Sequence, residues 1–549
     1  MGAYRDRPWL ATYPANAPAD VVAEFTDAVS MWRASVARAG NRPLSHYFGC
    51  THTLTDIDTG SDALAAALSD RGLGRGDRVA LFLQNVPQFL LALLATWKLG
   101  AIVVPINPML KERELAYLLD DSGATALVCL QELWNAVAAK VIESSGVAVA
   151  VTTSPLDGLR EVPSVLRGVQ DQETPGAEDL ATLLNSYAGQ RPDPVLLSAP
   201  DIAALTYTSG TTGDPKGAMN THGNVTFNAQ VYRDWVGLTD QDVCLAGAPL
   251  FHITGLIGHA AVAMLVPMPL VLAYRFDPAT MNDLTERHGA TFTVMAITAF
   301  AAMMDHPSVR TRDLTSLAKV FSCGAPIAPA TVERFEREVG PYIHNHYGLT
   351  ETTAPSHAVP YGRRAPVDPA TGALSIGVPV YNGAARIIDE QGADVPVGEI
   401  GEIVVRGPEV VPGYWRRPEA TAAALPDGEM RTGDVGFMDG HGWFYLTDRK
   451  KDVINASGYK VWPREVEDVL VGHPAVREAV VVGVPDAYRG ETVKAFVSLR
   501  SGSAATPDEL VGFCRERLAA YKCPRLIEIV DDLPKTATGK LLRRAMREA

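Results

Sequence analysis

The sequence predicts an α/β protein. A large multi-lobed N-terminal domain (two α/β sheet lobes plus a β-rich lobe) is followed by a small mobile α+β C-terminal domain. Three observations carry this expectation. From Ser61 onward helical and strand periods alternate, as in parallel sheets wrapped by helices. After about Gly377 the texture changes to short strands and turns. The chain has 549 residues, well past the roughly 250–300 at which a single core stops growing.

Taken in order, residues 61–70 read as an Ala/Leu helix and 77–82 as a strand. Pro87 opens an apolar helix to Trp97, and residues 100–105 read as a buried strand. Residues 155–200, rich in Pro, Gly, Asp and Ser, read as an excursion between lobes. Further strands fall at 243–245, 270–272, 291–294 and 319–321. Residues 385–388 and 401–406 belong to the β-rich lobe. In the last hundred or so residues, Pro463 opens a helix to Gly472. Residues 476–483 and 493–499 read as strands, 507–520 as a helix and 526–530 as a last strand. A unit of this size can fold around its own core. The expected division is 1–448, a hinge at 449–451, and 452–549.

Composition narrows the function. Hydrophobic residues make up 47% and charged residues 20%, and the net charge is −14. Such a balance argues against a nucleic-acid surface while leaving room for a local basic patch. The six cysteines form no C-x-x-C pair and no zinc-like spacing with histidine. They read as reduced cytoplasmic thiols, with a Cys514–Cys523 disulfide left open. No signal-peptide core is expected at the N-terminus, and Asp6 stands where a myristoylation signal needs Ser or Thr. The longest apolar run, 260–273, is too short and too interrupted by Pro267 and Pro269 to span a bilayer. It reads as a buried helix followed by a strand.

The chemistry starts at Tyr207-Thr208-Ser209-Gly210-Thr211-Thr212-Gly213-Asp214-Pro215-Lys216-Gly217. Glycines let backbone N–H groups approach an anion, hydroxyls donate to phosphate oxygens, and Lys216 adds a mobile positive charge. A polyphosphate needs that combination. The spacing is not that of the G-x-x-x-x-G-K-[ST] loop of nucleotide hydrolases, because Pro215 precedes the lysine and Gly217 follows it. Read alone, the stretch is also compatible with a polar surface loop.

Other stretches follow. Ala248 to Leu256, containing His252, comes after a strand. Ser322-Cys323-Gly324-Ala325-Pro326 is a strand-to-helix turn, and such turns at the carboxyl end of a sheet bind nucleotides. Asn345-His346-Tyr347-Gly348-Leu349-Thr350-Glu351 offers a carboxylate suited to a hard cation that also touches phosphate. Arg431-Thr432-Gly433-Asp434 offers a carboxylate able to accept from two sugar hydroxyls. Asp448-Arg449-Lys450-Lys451-Asp452, the loop 456–467 and Leu533 to Arg544 complete the set. Individually these are compatible with a core histidine, an ordinary turn, a surface charge run and a basic tail.

In this order they resemble the signatures of adenylate-forming enzymes: acyl-CoA synthetases, luciferases and peptide-synthetase adenylation domains. Arg7 to Pro14 resembles the opening of long-chain fatty-acid–CoA ligases. The resemblance implies roles. Thr208, Ser209, Gly210, Thr211, Thr212, Gly213 and Lys216 would cradle the phosphates of ATP. Gly324, Ala325, Pro326, Asn345, His346, Tyr347 and Gly348 would bind the adenine side. Asp434 would hold the ribose hydroxyls, and Arg449 would contact ribose or phosphate. Thr350 would bond the α-phosphate, and Glu351 would hold Mg²⁺. Lys540 would bridge substrate carboxylate and α-phosphate. Lys451 would be the hinge, and Ser457, Gly458 and Tyr459 the loop lining the CoA tunnel. His252, Leu256, Ile257, Ala260 and Cys323 would line the acyl pocket. His346 departs from the small residue often found at its position.

The expected activity is therefore an AMP-forming acyl-CoA synthetase, using ATP, Mg²⁺ and CoA on a hydrophobic carboxylic acid. A medium- or long-chain fatty acid leads, with bulky aryl or terpenoid acids open. The rival readings are an acyl-AMP ligase that loads a carrier protein and a stand-alone adenylation enzyme of a biosynthetic pathway. The expected setting is cytoplasmic, with no nucleic-acid partner and no integral membrane segment. A homodimer is left open.

Overall fold

Local signals in the sequence become capped helices. The computed structural model describes residues 4–14, 17–208, 214–449, 452–456, 459–486, 490–536 and 539–547. Thr53 and Asp56 form a reciprocal capping box that starts the helix Leu54–Asp70. The helix therefore begins well before Ser61, hidden in sequence by the polar residues that build its cap. Pro87 occupies the first turn of Pro87–Lys98, where its missing N–H costs nothing. Asp277 caps Pro278–His288 and Gly289 ends it in the left-handed region (φ 57°).

The strands assemble into sheets whose order the sequence does not announce. A seven-stranded sheet runs Glu178–Asp179, Val149–Thr153, Ala126–Leu130, Arg78–Phe82, Ile102–Pro105, Ile202–Thr208, Lys216–Thr221. Its pairs are parallel except the last, where Thr208 sits opposite Lys216. In a nine-stranded sheet, Pro43–Tyr47, Leu270–Leu272, Cys244–Leu245, Phe292–Met295, Lys319–Ser322 and Ile343–Leu349 form the parallel centre. The two sheets share a core. One buried apolar cluster contains Val79 and Leu81 of the first sheet, Leu270, Phe292 and Phe321 of the second, and residues of the helices Leu54–Asp70, Pro87–Lys98 and His222–Val236.

The β-rich lobe is a four-stranded antiparallel sheet, Ala384–Ile388, Gly401–Arg406, Met430–Met438 and Phe444–Arg449. The N-terminal segment is strapped over its neighbourhood. Trp9 meets Phe444 edge to face at 6.0 Å, and the Tyr13 hydroxyl donates to Pro379 O at 2.7 Å. The C-terminal residues form a separate five-stranded sheet with its own apolar cluster, backed by the helices Pro463–Val471 and Pro507–Arg515.

Several sequence readings are corrected. The helix expected to reach Ala520 ends at Arg515. The excursion 155–200 contains a capped helix, Leu180–Ser186, and a short strand, Glu178–Asp179, that extends the first sheet. The apolar run after Gly255 opens with a π turn, Leu256–Ala261, before the helix Val262–Leu265 and the strand Leu270–Leu272. Cys514 and Cys523 are free thiols. No described helix is long and apolar enough to cross a membrane.

Candidate active site

The carboxyl ends of strands from both sheets converge on one cavity of about 1030 Å³. Ligands bind in that place in open α/β sheets. Thr208 closes one strand, Lys216 opens its antiparallel neighbour, and both line the cavity. The residues between them, Ser209, Gly210, Thr211, Thr212 and Gly213, lie outside the described residues. The free edge of Lys216–Thr221 is covered by a crossing segment: Met219 N donates to Gly413 O and Trp415 N to Gly217 O. That segment delivers Tyr414. Its ring lies 5.3 Å from Lys216 Nζ, and its hydroxyl donates to Glu351 Oε1 at 2.6 Å.

Thr350 and Glu351 belong to a short 3₁₀ turn after the strand Ile343–Leu349, and both line the cavity. The turn is strained. Thr353 (φ 51°) and Ala354 (φ 82°) both occupy the left-handed region without being glycine. Buried asparagines hold it there. Asn220 Nδ2 donates to Thr350 O at 3.1 Å and to Thr353 Oγ1 at 3.0 Å, and Asn228 Nδ2 donates to Thr352 O and Thr353 O. Val411 N donates to Glu351 O at 2.9 Å. The Glu351 backbone is thus fixed while its carboxylate stays on the cavity. Among the described residues no group of three or more His, Cys, Asp or Glu could hold a metal. Glu351, one of several carboxylates lining the cavity, fits an ion that keeps most of its shell from phosphate and water, as Mg²⁺ does.

Asp434 is buried in the strand Met430–Met438 and accepts from the Tyr347 hydroxyl at 2.8 Å. Tyr347, Gly348 and Asp434 line one side of the cavity. Asp434 is in register with Arg449, whose side chain lies outside the description, as do Lys451, Ser457, Gly458 and the side chain of Tyr459. Gly324 lines the cavity; Ala325 and Pro326 are outside its lining. Asn345 is buried and donates to Ser375 O at 3.2 Å, so its amide is engaged away from the cavity.

His252 lies in the wall. Its Nδ1 accepts from Thr254 N at 3.3 Å, which makes this nitrogen the unprotonated one. Burial first, and the Lys540 charge second, push its pKa down to about 3, so the ring is neutral across the working range. Cys323 Sγ lies 3.5 Å from Thr254 Oγ1, and burial pushes its thiol pKa up. His346 lines the same region, 5.2 Å from the Tyr232 ring and 4.3 Å from Phe321. Both its nitrogens are buried without a partner among the described residues, and burial lowers its pKa to about 3. The structure does not bring Leu256, Ile257 and Ala260 to the cavity. They are fully buried in the shared core, and the wall beside His252 is made by Ile253, Thr254 and Tyr232.

Lys540 reaches the cavity from the C-terminal sheet unit. Thr536 N donates to Lys540 O at 2.7 Å, and Gly539 takes φ 81°. Thr298 Oγ1 donates to Gly539 O at 2.9 Å. Gly324 has φ 82°, and a methyl there would lie 3.1 Å from Lys540 Cε. The backbone conformation favours glycine at 324, and any side chain there would press on the lysine stem.

The family model described as "AMP-binding enzyme" matches residues 32–415, and "AMP-binding enzyme C-terminal domain" matches residues 465–540. The chain is 37% identical over 555 residues to a long-chain-fatty-acid–CoA ligase of Bacillus subtilis, covering 99% of this chain and 98% of that protein. It is 37% identical over 499 residues to a feruloyl-CoA synthase of Amycolatopsis, covering 91% and 94%. Among solved structures, an anthranilate CoA ligase in complex with anthranoyl-AMP superposes with a TM-score of 0.86 at 27% identity, covering 97% and 98%.

Proposed function

The chain belongs to the AMP-binding enzyme family, and from that premise we propose how its residues divide the work of an AMP-forming acid–thiol ligase acting on a hydrophobic carboxylic acid. The reaction uses ATP and CoA. A carboxylate oxygen attacks the α-phosphorus and pyrophosphate leaves; the CoA sulfur then attacks the acyl carbon and AMP leaves.

Bringing one anion to another makes positioning and charge neutralisation the main catalytic terms. One observation carries the assignment: Lys216, Thr350, Glu351, Asp434 and Lys540, far apart in the chain, line a single cavity. Lys216 and the loop 209–213 take the phosphates that depart. Thr350 donates to the α-phosphate, and Asp434 accepts from the ribose hydroxyls beside Tyr347. Lys540 spans the substrate carboxylate and the α-phosphate. Mg²⁺, when bound at Glu351, screens phosphate charge. The neutral His252 ring orients the carboxylate without adding a charge.

The division at 449–451, with Lys451 as pivot and Ser457, Gly458 and Tyr459 lining the path of CoA, belongs to the same reading. The match of two separate family models on either side of that segment supports it. For the acid, fatty and aryl carboxylates are the classes to try, since the relatives named above carry both. Pyrophosphate release across a panel of such acids, with and without CoA, tests the proposal. CoA-dependent thioester formation on at least one class is expected. Adenylate that accumulates with CoA present, and discharges only to a carrier protein, would replace this reading with the carrier-loading one.

A further inference from the structure

Arg464 stands at the wrong end of its helix. It occupies the first turn of Pro463–Val471, where the helix dipole favours anions and not cations. It is also 2% exposed, which is costly for a guanidinium unless its donors are used. Helix stability and solubility therefore do not account for it. Its contacts do. Nη1 donates to Leu446 O at 3.0 Å and Nη2 to Ile327 O at 3.4 Å, while Nε lies 3.4 Å from Asp468 Oδ2.

The two carbonyls are informative. Leu446 lies in Phe444–Arg449, the strand that leads into the proposed hinge. Ile327 lies in the turn between Lys319–Ser322 and Pro329–Glu338, three residues after Gly324. Lys540 packs against that same glycine. Two arms of the C-terminal unit, one at its first helix and one near its end, therefore close on a single turn of the cavity wall. The planar fork of arginine suits this task, because it can hold two backbone carbonyls of different elements at a fixed separation.

We propose that Arg464 is a positioning residue for acyl-adenylate formation: it ties the 324–327 turn to the C-terminal unit in the arrangement that places Lys540 at the cavity. The proposal rests on the role given to Lys540 above. It predicts a selective effect. Arg464 matters while Lys540 must be in place and is dispensable once acyl-adenylate has formed.

The experiment uses the full-length chain with Arg464→Met, Arg464→Lys, Lys540→Ala and the Arg464→Met/Lys540→Ala double variant. Adenylation is followed as single-turnover pyrophosphate release, and thioester formation as CoA transfer from synthetic acyl-adenylate. Arg464→Met is expected to slow adenylation by about 10-fold to 10²-fold, the range for misplacing a reacting group by about an ångström. The loss should fall on kcat and leave the KM for the acid unchanged. Transfer to CoA should be unchanged or faster. On the Lys540→Ala background the same substitution should add less than about 2-fold, because groups acting as a unit are non-additive. Arg464→Lys, with a charge but no two-armed donor, should fall between. If Arg464→Met does not fold, the lysine variant decides by the same split. Equal slowing of both half-reactions, or a full multiplicative loss on the Lys540→Ala background, would overturn the proposal. Wild-type adenylation by Lys540→Ala would instead overturn the reading of Lys540, so the two failures are distinguishable.

Discussion

The two halves of the cavity are built by opposite means. The wall that carries Thr350 and Glu351 is over-determined: a turn with two consecutive left-handed residues is held by Asn220, Asn228 and the backbone of Val411. On the side that carries Lys540, the contacts among the described residues include Thr298 on Gly539, Gly324 against the lysine stem, and Arg464 on two carbonyls of separate elements. Strain can persist only where the surroundings fix it. A group that must arrive and leave cannot be held that way. On the reading proposed above, that difference suits a two-step reaction, with a fixed site for the nucleotide and a lysine that is withdrawn after the first step.

The contrast can be broken from the Lys540 side first. Gly324→Val forces a branched side chain into φ 82° and onto Lys540 Cε. Adenylation, read as single-turnover pyrophosphate release, should fall by about 10². Transfer of acyl groups from synthetic acyl-adenylate should fall much less. Loss of both alike would mean that the turn serves the whole cavity and not the lysine.

On the fixed side, the contrast is sharpened by Glu409. Asn224 Nδ2 donates to Pro408 O at 2.7 Å and to Val410 O at 3.2 Å, and this clamp buries the carboxyl between them completely. Neither oxygen has a partner among the described residues, and burial raises the pKa from 4.5 to about 7. The raised value means that the folded chain binds a proton the unfolded chain has released. Stability contributed by Glu409 is therefore lost as pH rises from about 4.5 to about 7, and stays lost above it. Glu409→Gln removes that loss. The variant should gain about 3 kcal/mol over the parent between pH 5 and pH 8, read as a difference in denaturant midpoint. A constant difference across that range would contradict the assignment. The comparison must be made variant against parent, because buried neutral histidines titrate in the same experiment. His222, His346 and His357, lowered by burial to about 4, 3 and 3, destabilise the fold progressively as pH falls below 6.5.

Asn228→Ala gives the smallest effect. It strips the amide from Thr352 O and Thr353 O, at a cost of about 1–3 kcal/mol, seen as a lower melting midpoint. The KM for ATP should rise as the turn relaxes. A variant with reduced stability and unchanged nucleotide binding would show that the strain serves folding alone.

Much of this site was legible because its signatures are local. Gly324, Thr350 and Glu351 sit in turns just after strands, and Asp434 and Lys540 each follow a glycine with positive φ, so their neighbours in sequence mark them. Their partners were not legible. Asn220, Tyr414 and Arg464 act through contacts with distant segments, 130 residues away for Asn220–Thr350, 63 for Tyr414–Glu351 and 137 for Arg464–Ile327, and nothing beside them in sequence points there. Asn224 and Asn228 left a faint signal: two asparagines at helical spacing in a helix that the fold largely buries. The acyl wall was misplaced for a similar reason. An apolar run beside His252 reads equally as pocket or core, and the π turn Leu256–Ala261 carries Leu256, Ile257 and Ala260 into the core. The order of strands was equally hidden, since Pro43–Tyr47 pairs with Leu270–Leu272 across most of the N-terminal lobes.

The central claim is that Lys540 enters the fixed cavity to form the adenylate and has no part in consuming it. The direct measurement is Lys540→Ala in the two half-reactions taken separately. Adenylation should slow by about 10²–10³, the usual cost of one transition-state donor, while CoA transfer from synthetic acyl-adenylate stays near the parent rate. Equal loss in both steps, or none in the first, would contradict the account.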